Sequence, residues 1–292
     1  MADNKRQCPV LPSLRPVTST PYSPHVDLDT SIDFIQGEMH KCSQEHDDCT
    51  MTPDPPLPKR VIAIDQPSLR LVEPEGLVGR YATLSHCWGG FQPLKTTQEN
   101  LADMLAAIPE DRLPVVFTEA ILLARRLGIP YLWIDSLCII QGSQEDWEVE
   151  SAKMCDYYSN GWLNIAAGSS SNHSVSLLRV RDPCWSPVTL SLAGFDFLAR
   201  RIPAPADRSH EGPLFSRAWA WQESALARRT MSFTNNNLVW ACREGVSQHT
   251  YDGTEHAFHT ARKLYRGLDP KGKQGRFPSS SAVIGLPAQT PL

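Results

Sequence analysis

The chain has 292 residues, room for one large domain or two small ones. Its 28 Lys and Arg against 32 Asp and Glu leave a net charge of −4, and a pI near 6.1 excludes a nucleic-acid binder that relies on a general basic field. A hydrophobic fraction of 41% with eight tryptophans supplies a sizeable core and excludes global disorder.

The first residues, MADNKRQCPVLPSLRPVTSTPYSP, carry charge but no apolar run of ~7–15 residues, so no signal peptide is expected. No stretch reaches the ~18 consecutive apolar residues of a membrane span. A cytoplasmic location follows as the expectation, with the eight cysteines kept reduced. Eleven of the 24 prolines fall in residues 1–75, which predicts an irregular front quarter beginning with a Pro-rich arm over 1–28. Ile32, Phe34, Ile35 and Met39 set a helical period over 30–48, capped at Asp29 or Thr30. A Pro-rich linker at 51–59 leads to two short apolar runs, 60–65 and 69–73, which read as a hairpin.

The core begins at Tyr81. YATLSHC (81–87) has the profile of a buried strand, followed by a loop at Trp88-Gly89-Gly90. Helices are expected over 97–108 and 115–128, the second capped at Gly128. YLWIDSLCII (131–140) reads as the next strand, Ser143 opens a helix to about Ser159, and WLNIAAG (162–168) is a third strand. Strands alternating with helices at this spacing predict an α/β fold, a parallel sheet flanked by helices on both faces. Residues 169–212 are less regular, around one strand at 188–199. A helix over 217–229 then precedes a hairpin, 229–234 and 238–244, joined through Asn235-Asn236-Asn237. The domain reading is therefore a Pro-rich arm with a short helix over 1–58, the main domain over 59–250, and a short helix with a flexible tail over 251–292.

No phosphate-cradling glycine loop, HExxH or GxSxG is present. Cys42, His46 and Cys49 would share one face of a helix, and His40 would add a fourth donor for a structural zinc. Their spacing matches no common finger, so packing of Cys42 and Cys49 beneath the front helix is favoured and no metal is expected. Three segments stand out instead: LSHCWGG (84–90), YLWIDSLCIIQ (131–141) and SRAWAWQE (216–223).

In order and spacing these segments resemble the fungal heterokaryon incompatibility (HET) domain, whose blocks read LSYxWG, WIDxLCIxQ and RxWTxQE. The preceding KRVIAID, LRLVE and Cys-x3-His-x2-Cys stretches also resemble what precedes the first block, and the likeness covers roughly 34–245. His86 stands where the family often has Tyr, and Ala220 where it often has Thr. The resemblance implies an effector of nonself recognition and programmed cell death. It also implies a flavodoxin-like fold related to the Toll/interleukin-1 receptor (TIR) domain, to which the hairpin read from the turn residues is an addition. Some TIR domains cleave NAD with a Glu four residues after a helical Trp, the spacing of Trp219 and Glu223.

On that resemblance Glu223 is the expected catalytic residue, since cleaving the nicotinamide–ribose bond builds positive charge that a carboxylate stabilises. The pocket of a doubly wound sheet lies beyond the carboxyl ends of its strands. His86 and Trp88 at the end of the first strand, Asp135 and Ser136 at the end of the second, and Trp219 are the expected binding residues. Trp88 would stack on nicotinamide or adenine and Asp135 would accept from a ribose hydroxyl. NAD enters as substrate, with no bound cofactor required. Structural roles stand beside these: Glu223 pairing with Arg217 or Arg228, Trp88, Trp133 and Trp219 packing the motifs, Asp135 capping the next turn, Cys138 buried and unreactive. Expected partners are another copy of the chain or another incompatibility protein. The rival functions are a non-catalytic self-assembling signalling module and an accessory protein of a fungal secondary-metabolite pathway.

Overall fold

The structure, a computed structural model, describes residues 26–51, 54–89, 94–179, 183, 188–192, 195–199, 212–235 and 237–249. The arm as far as residue 25, Gly90, and the short helix and tail expected over 251–292 lie outside the described residues. Helix α1 spans Leu28–Glu45 and is capped earlier than expected, by Asp27, whose side chain accepts from the Thr30 amide at 2.7 Å. Its Ile32, Ile35 and Cys42 recur on one face and join the main core. Strands β1 (Val61–Ala63) and β2 (Arg70–Val72) pair antiparallel, the hairpin expected from their turn.

The remaining elements run in chain order. Strand β3 (Tyr81–Ser85) is followed by α2 (Leu101–Ala106) and α3 (Val115–Arg126). Then come β4 (Tyr131–Trp133), α4 (Asp135–Cys138), α5 (Gln144–Asn160) and β5 (Leu163–Ala166). Last are β6 (Val188–Leu192), β7 (Phe195–Ala199), α6 (Ala218–Leu226), β8 (Arg229–Phe233), β9 (Leu238–Cys242) and β10 (Val246–His249). Gly128 takes a φ of 69° just past α3, the left-handed cap that its position predicted.

Three expectations are corrected. The run 131–140 is not one strand: β4 stops at Trp133, because the Asp135 carboxylate accepts from the Ser136 amide at 2.7 Å and turns the chain into α4. The strand expected at 188–199 is a two-stranded hairpin, β6 with β7. The helix expected over 97–108 shortens to α2, with the Asn100 side chain accepting from the Thr97 amide at 2.7 Å before it starts.

The main sheet has eight strands in the order β10-β9-β8-β5-β3-β4-β1-β2. The expected parallel sheet is its centre, where β4, β3, β5 and β8 run parallel; β1 and β2 on one side and β9 and β10 on the other are antiparallel. The sheet is therefore mixed. Nearly every residue of the four parallel strands is buried, as helices on both faces require. From β3 the chain steps outward to β4, then returns past β3 to β5 and on to β8, so its direction reverses between β3 and β5. Right-handed crossovers then put α3 on one face and α5 with α6 on the other, in agreement with the packing of α1 on α3 and of α5 on α6.

A buried ion pair ties this framework together. Arg60, 1% exposed and just before β1, pairs through Nη2 with Asp146 at the start of α5 and donates from Nε to the Cys138 carbonyl at 2.7 Å. Asp146 also accepts from the Ile140 amide at 2.8 Å and from Lys59 Nζ at 2.7 Å. Burial alone would raise the Asp146 pKa, but the hydrogen bonds from Arg60, Lys59 and Ile140 outweigh it and hold the carboxyl at about 2.

Candidate functional site

The loops that leave the carboxyl ends of β3 and β4 meet at His86, Trp88 and Asp135. One Asp135 oxygen accepts from Trp88 Nε1 at 2.9 Å; the other accepts the Ser136 amide and lies 3.9 Å from His86 Nδ1. Asp135 thus does what its capping reading expected, while its side chain stays 28% exposed. His86 is buried, edge-on to Phe117 at 4.9 Å between ring centroids and parallel to the Trp88 ring at 6.4 Å. Burial lowers its pKa, with Asp135 opposing and Arg217 reinforcing, so the imidazole is neutral near pH 7. Its Nε2 has no hydrogen-bond partner among the described residues, and neither has the buried Ser136 hydroxyl.

Glu223, on the second turn of α6, joins this group through two side chains that sequence reasoning did not single out. Ser85, the last residue of β3, and Tyr158 on α5 are the neighbouring polar side chains that favour its ionised form. The residue as a whole is half-buried, but burial of the carboxyl pushes its pKa up to about 7, with repulsion from Asp135 adding to the rise and the Ser85 and Tyr158 hydrogen bonds opposing it. The arginines weighed as its surface partners have other acceptors: Arg217 Nη1 donates to the His86 carbonyl at 2.9 Å, and Arg228 to the carbonyls of Ser159 and Thr50. Beneath Ser85, the buried Asn164 on β5 receives the Thr83 and Ser85 hydroxyls at 3.0 and 3.1 Å, while its Nδ2 has no partner among the described residues.

Trp219 does not join the group: it is 53% exposed on α6, and Trp221 is 44% exposed. Trp133 is fully buried against Tyr157 and Tyr158, at ring distances of 5.6 and 5.7 Å, the packing role weighed for it. Cys138 is likewise enclosed, and burial pushes its thiol up to about 12, which leaves no nucleophile there at neutral pH.

The loop after β3 is fixed by a contact only glycine permits. Gly89 has a φ of 68°, and a Cβ there would run into Cβ of Asn172. The neighbouring His173 Nδ1 hydrogen-bonds the Trp88 carbonyl at 2.8 Å. Gly89→Ala should therefore destabilise the protein by about 1–3 kcal/mol, read as a fall in thermal midpoint; an unchanged midpoint would show that the loop yields freely.

A second cluster lies away from this rim. The ligand atoms of Cys42, His46, Cys49 and Cys242 all fall within 4.8 Å of one another. Three of them were weighed in the sequence. His40 is exposed and outside the group, and the fourth member is instead Cys242 on β9, 196 residues from His46. No local spacing could have signalled it; only the pairing of β8 with β9 beside α1 brings it there.

The chemistry available at the rim is that of a carboxylic acid titrating near neutrality beside a second carboxylate and a neutral imidazole, a set suited to acid–base work or to stabilising a developing cation. Residues 81–223, from the first residue of β3 to Glu223 itself, match the family model described as Heterokaryon incompatibility protein (HET). No curated protein and no solved structure matches the chain.

Proposed function

We propose, on the premise that residues 81–223 form a HET domain, that the protein is an incompatibility effector that cleaves NAD with Glu223. The observation that carries this reading is the Glu223 carboxyl, enclosed close to Ser85, Tyr158 and Asp135 at the carboxyl ends of parallel strands. Numbered among themselves, the four parallel strands lie in the order 2-1-3-4, which begins the flavodoxin-like order and supports a TIR-like fold. In such sheets ligands bind where the strand order reverses, here between β3 and β5, the strands that carry Ser85 and Asn164.

In the proposed reaction the bond between ribose C1 and nicotinamide nitrogen breaks with its electron pair leaving on nicotinamide. The ionised Glu223 stabilises the cation formed at C1. Water then adds to C1 and releases a proton, giving ADP-ribose. Asp135 holds the Trp88 ring edge and keeps free lone pairs for a ribose hydroxyl. Neutral His86, buried behind Asp135, adds no positive charge to repel the cation formed at C1. The purified, concentrated protein incubated with NAD should release free nicotinamide, and Glu223→Ala should abolish the release. Full turnover by Glu223→Ala removes the catalytic assignment, and no nicotinamide even from forcibly clustered protein removes the enzyme.

One observation favours the second reading, a non-catalytic assembly module: Trp147 on α5 is 53% exposed, and Trp219 and Trp221 on α6, a helix packed on α5, are 53% and 44% exposed. Large aromatics are enriched in the buried centres of protein interfaces. Light scattering across a concentration series separates the two, since this reading requires self-association whether or not nicotinamide appears.

A further inference from the structure

The geometry points to a structural zinc site formed by Cys42, His46, Cys49 and Cys242, which clamps the front helix to the far hairpin of the sheet. Three donors come from the end of the front helix and the turn after it, and the fourth from the far hairpin. Cys42 lies in the last turns of α1, His46 ends that helix, Cys49 closes the short 3-10 turn Asp47–Cys49, and Cys242 is the last residue of β9. His46 Nδ1 is 3.3 Å from the Cys242 sulfur and 3.9 Å from the Cys49 sulfur. In a tetrahedral site with Zn–S near 2.3 Å and Zn–N near 2.0 Å, ligand atoms stand roughly 3.3–3.8 Å apart. A set already within 4.8 Å therefore closes on an ion by shifts of about an ångström or less. Three sulfurs and one imidazole, with no position left for water, describe a closed structural site rather than a catalytic one.

Arg229 supplies an independent reason to expect an ion. It is 2% exposed, lies over the Trp162 ring at 5.0 Å, and donates from Nε to the Cys42 sulfur at 3.4 Å. Its other acceptors are Ser43 Oγ and the Cys49 carbonyl, and Nη1 has no partner among the described residues. No carboxylate among the described residues ion-pairs with this buried guanidinium, and a buried charge is costly unless it is paired. Three neutral thiols leave that cost uncompensated. A zinc ion with three thiolates and a neutral imidazole carries one net negative charge, which the Arg229 cation neutralises.

The ion would do for this fold what a disulfide does for a secreted one, linking residues almost two hundred positions apart without an oxidising compartment. Two further contacts follow the same seam: the Asp48 amide donates to Glu244 Oε1 at 2.7 Å, and Arg228 Nη1 to the Thr50 carbonyl at 2.9 Å. The site lies outside the matched segment, so α1 and β8–β10 would be held to each other independently of the rim chemistry.

The test is metal analysis of the full chain purified from zinc-supplemented cells, followed by cobalt exchange. One zinc per chain is expected, and the cobalt form should show the intense visible bands of a tetrahedral thiolate site. Cys242→Ser should lower bound metal at least about tenfold, by loss of a direct ligand where even supporting contacts are worth ~10–100-fold; Cys155→Ser, at an exposed thiol, should not. His46→Cys should keep the metal and shift the cobalt bands to those of four thiolates, a change that a merely structural histidine would not produce. Should Cys242→Ser fail to fold, the wild-type chain still decides: a strong chelator should lower its thermal midpoint and zinc should restore it. A chain that leaves zinc-rich cells without metal, gives no cobalt bands and melts identically with chelator overturns the site, as does a disulfide among these cysteines in protein purified under reducing conditions.

Discussion

Replacing Arg60 by alanine should destabilise the protein by about 3–5 kcal/mol, the cost of removing the buried partner of an enclosed carboxylate that then keeps only the half-exposed Lys59, and lower the thermal midpoint by roughly 6–20 °C. The guanidinium is 1% exposed, and Asp146, at 6%, is surrounded by donors that presuppose its charge. The same site predicts an acid limb. Because Asp146 is held at about 2, below its ordinary 3.8, its contribution is fully present above pH ~4 and is lost as the pH falls towards 2. Asp146→Asn should flatten that limb of the stability profile and lower stability at neutral pH. Joint replacement, Arg60→Met with Asp146→Leu, should recover much of the loss, since well-packed apolar groups often substitute for a buried pair. If Arg60→Ala melts within a degree or two of the wild type, the pair contributes little and the Cys138–Ile140 turn does not depend on Arg60.

The parallel centre of the sheet was legible because its strands are buried on both faces and so read as continuous apolar runs: 81–87, 162–168 and the first part of 131–140. What such runs hide is where the backbone changes state. Within YLWIDSLCII every residue but Asp135 and Ser136 is apolar or aromatic, and the switch to helix after Ile134 depends on one carboxylate meeting the next amide. The antiparallel edges were half visible. The β8–β9 hairpin announced itself through three asparagines, but β10 follows a turn at Arg243–Gly245 with no comparable signal. At the rim, motif order named His86, Trp88, Asp135 and Glu223, whereas Ser85 and Tyr158 were passed over. Ser85 lies within a continuous buried run and Tyr158 on a helix far along the chain, so neither carries a local signal of its place beside Glu223. The Arg60–Asp146 pair was invisible, since charge partners 86 positions apart leave no trace in local pattern.

NAD cleavage by this chain should rise with pH through about 7 and then level off, and Glu223→Gln should lower it at least about a hundredfold, the scale set by a positioned proton-transfer or charge-stabilising group. The limb follows from the proposed role: the carboxyl stabilises a ribose cation only when ionised, and burial has moved its ionisation up to about 7. The same shift has a stability signature of opposite sense. A carboxyl whose folded pKa stands above its unfolded value of 4.5 costs the native state stability progressively as pH rises from about 4.5 to 7. Glu223→Gln, which cannot ionise, should therefore gain thermal stability relative to the wild type at pH 8 and gain little at pH 4. The two readouts separate the roles. A gain at pH 8 with no loss of turnover would make Glu223 a strained structural acid and return the chemistry of the rim to Asp135 and His86. Loss of turnover together with the vanished alkaline penalty is what an enclosed carboxylate, kept unstable so that it can meet a cation, requires.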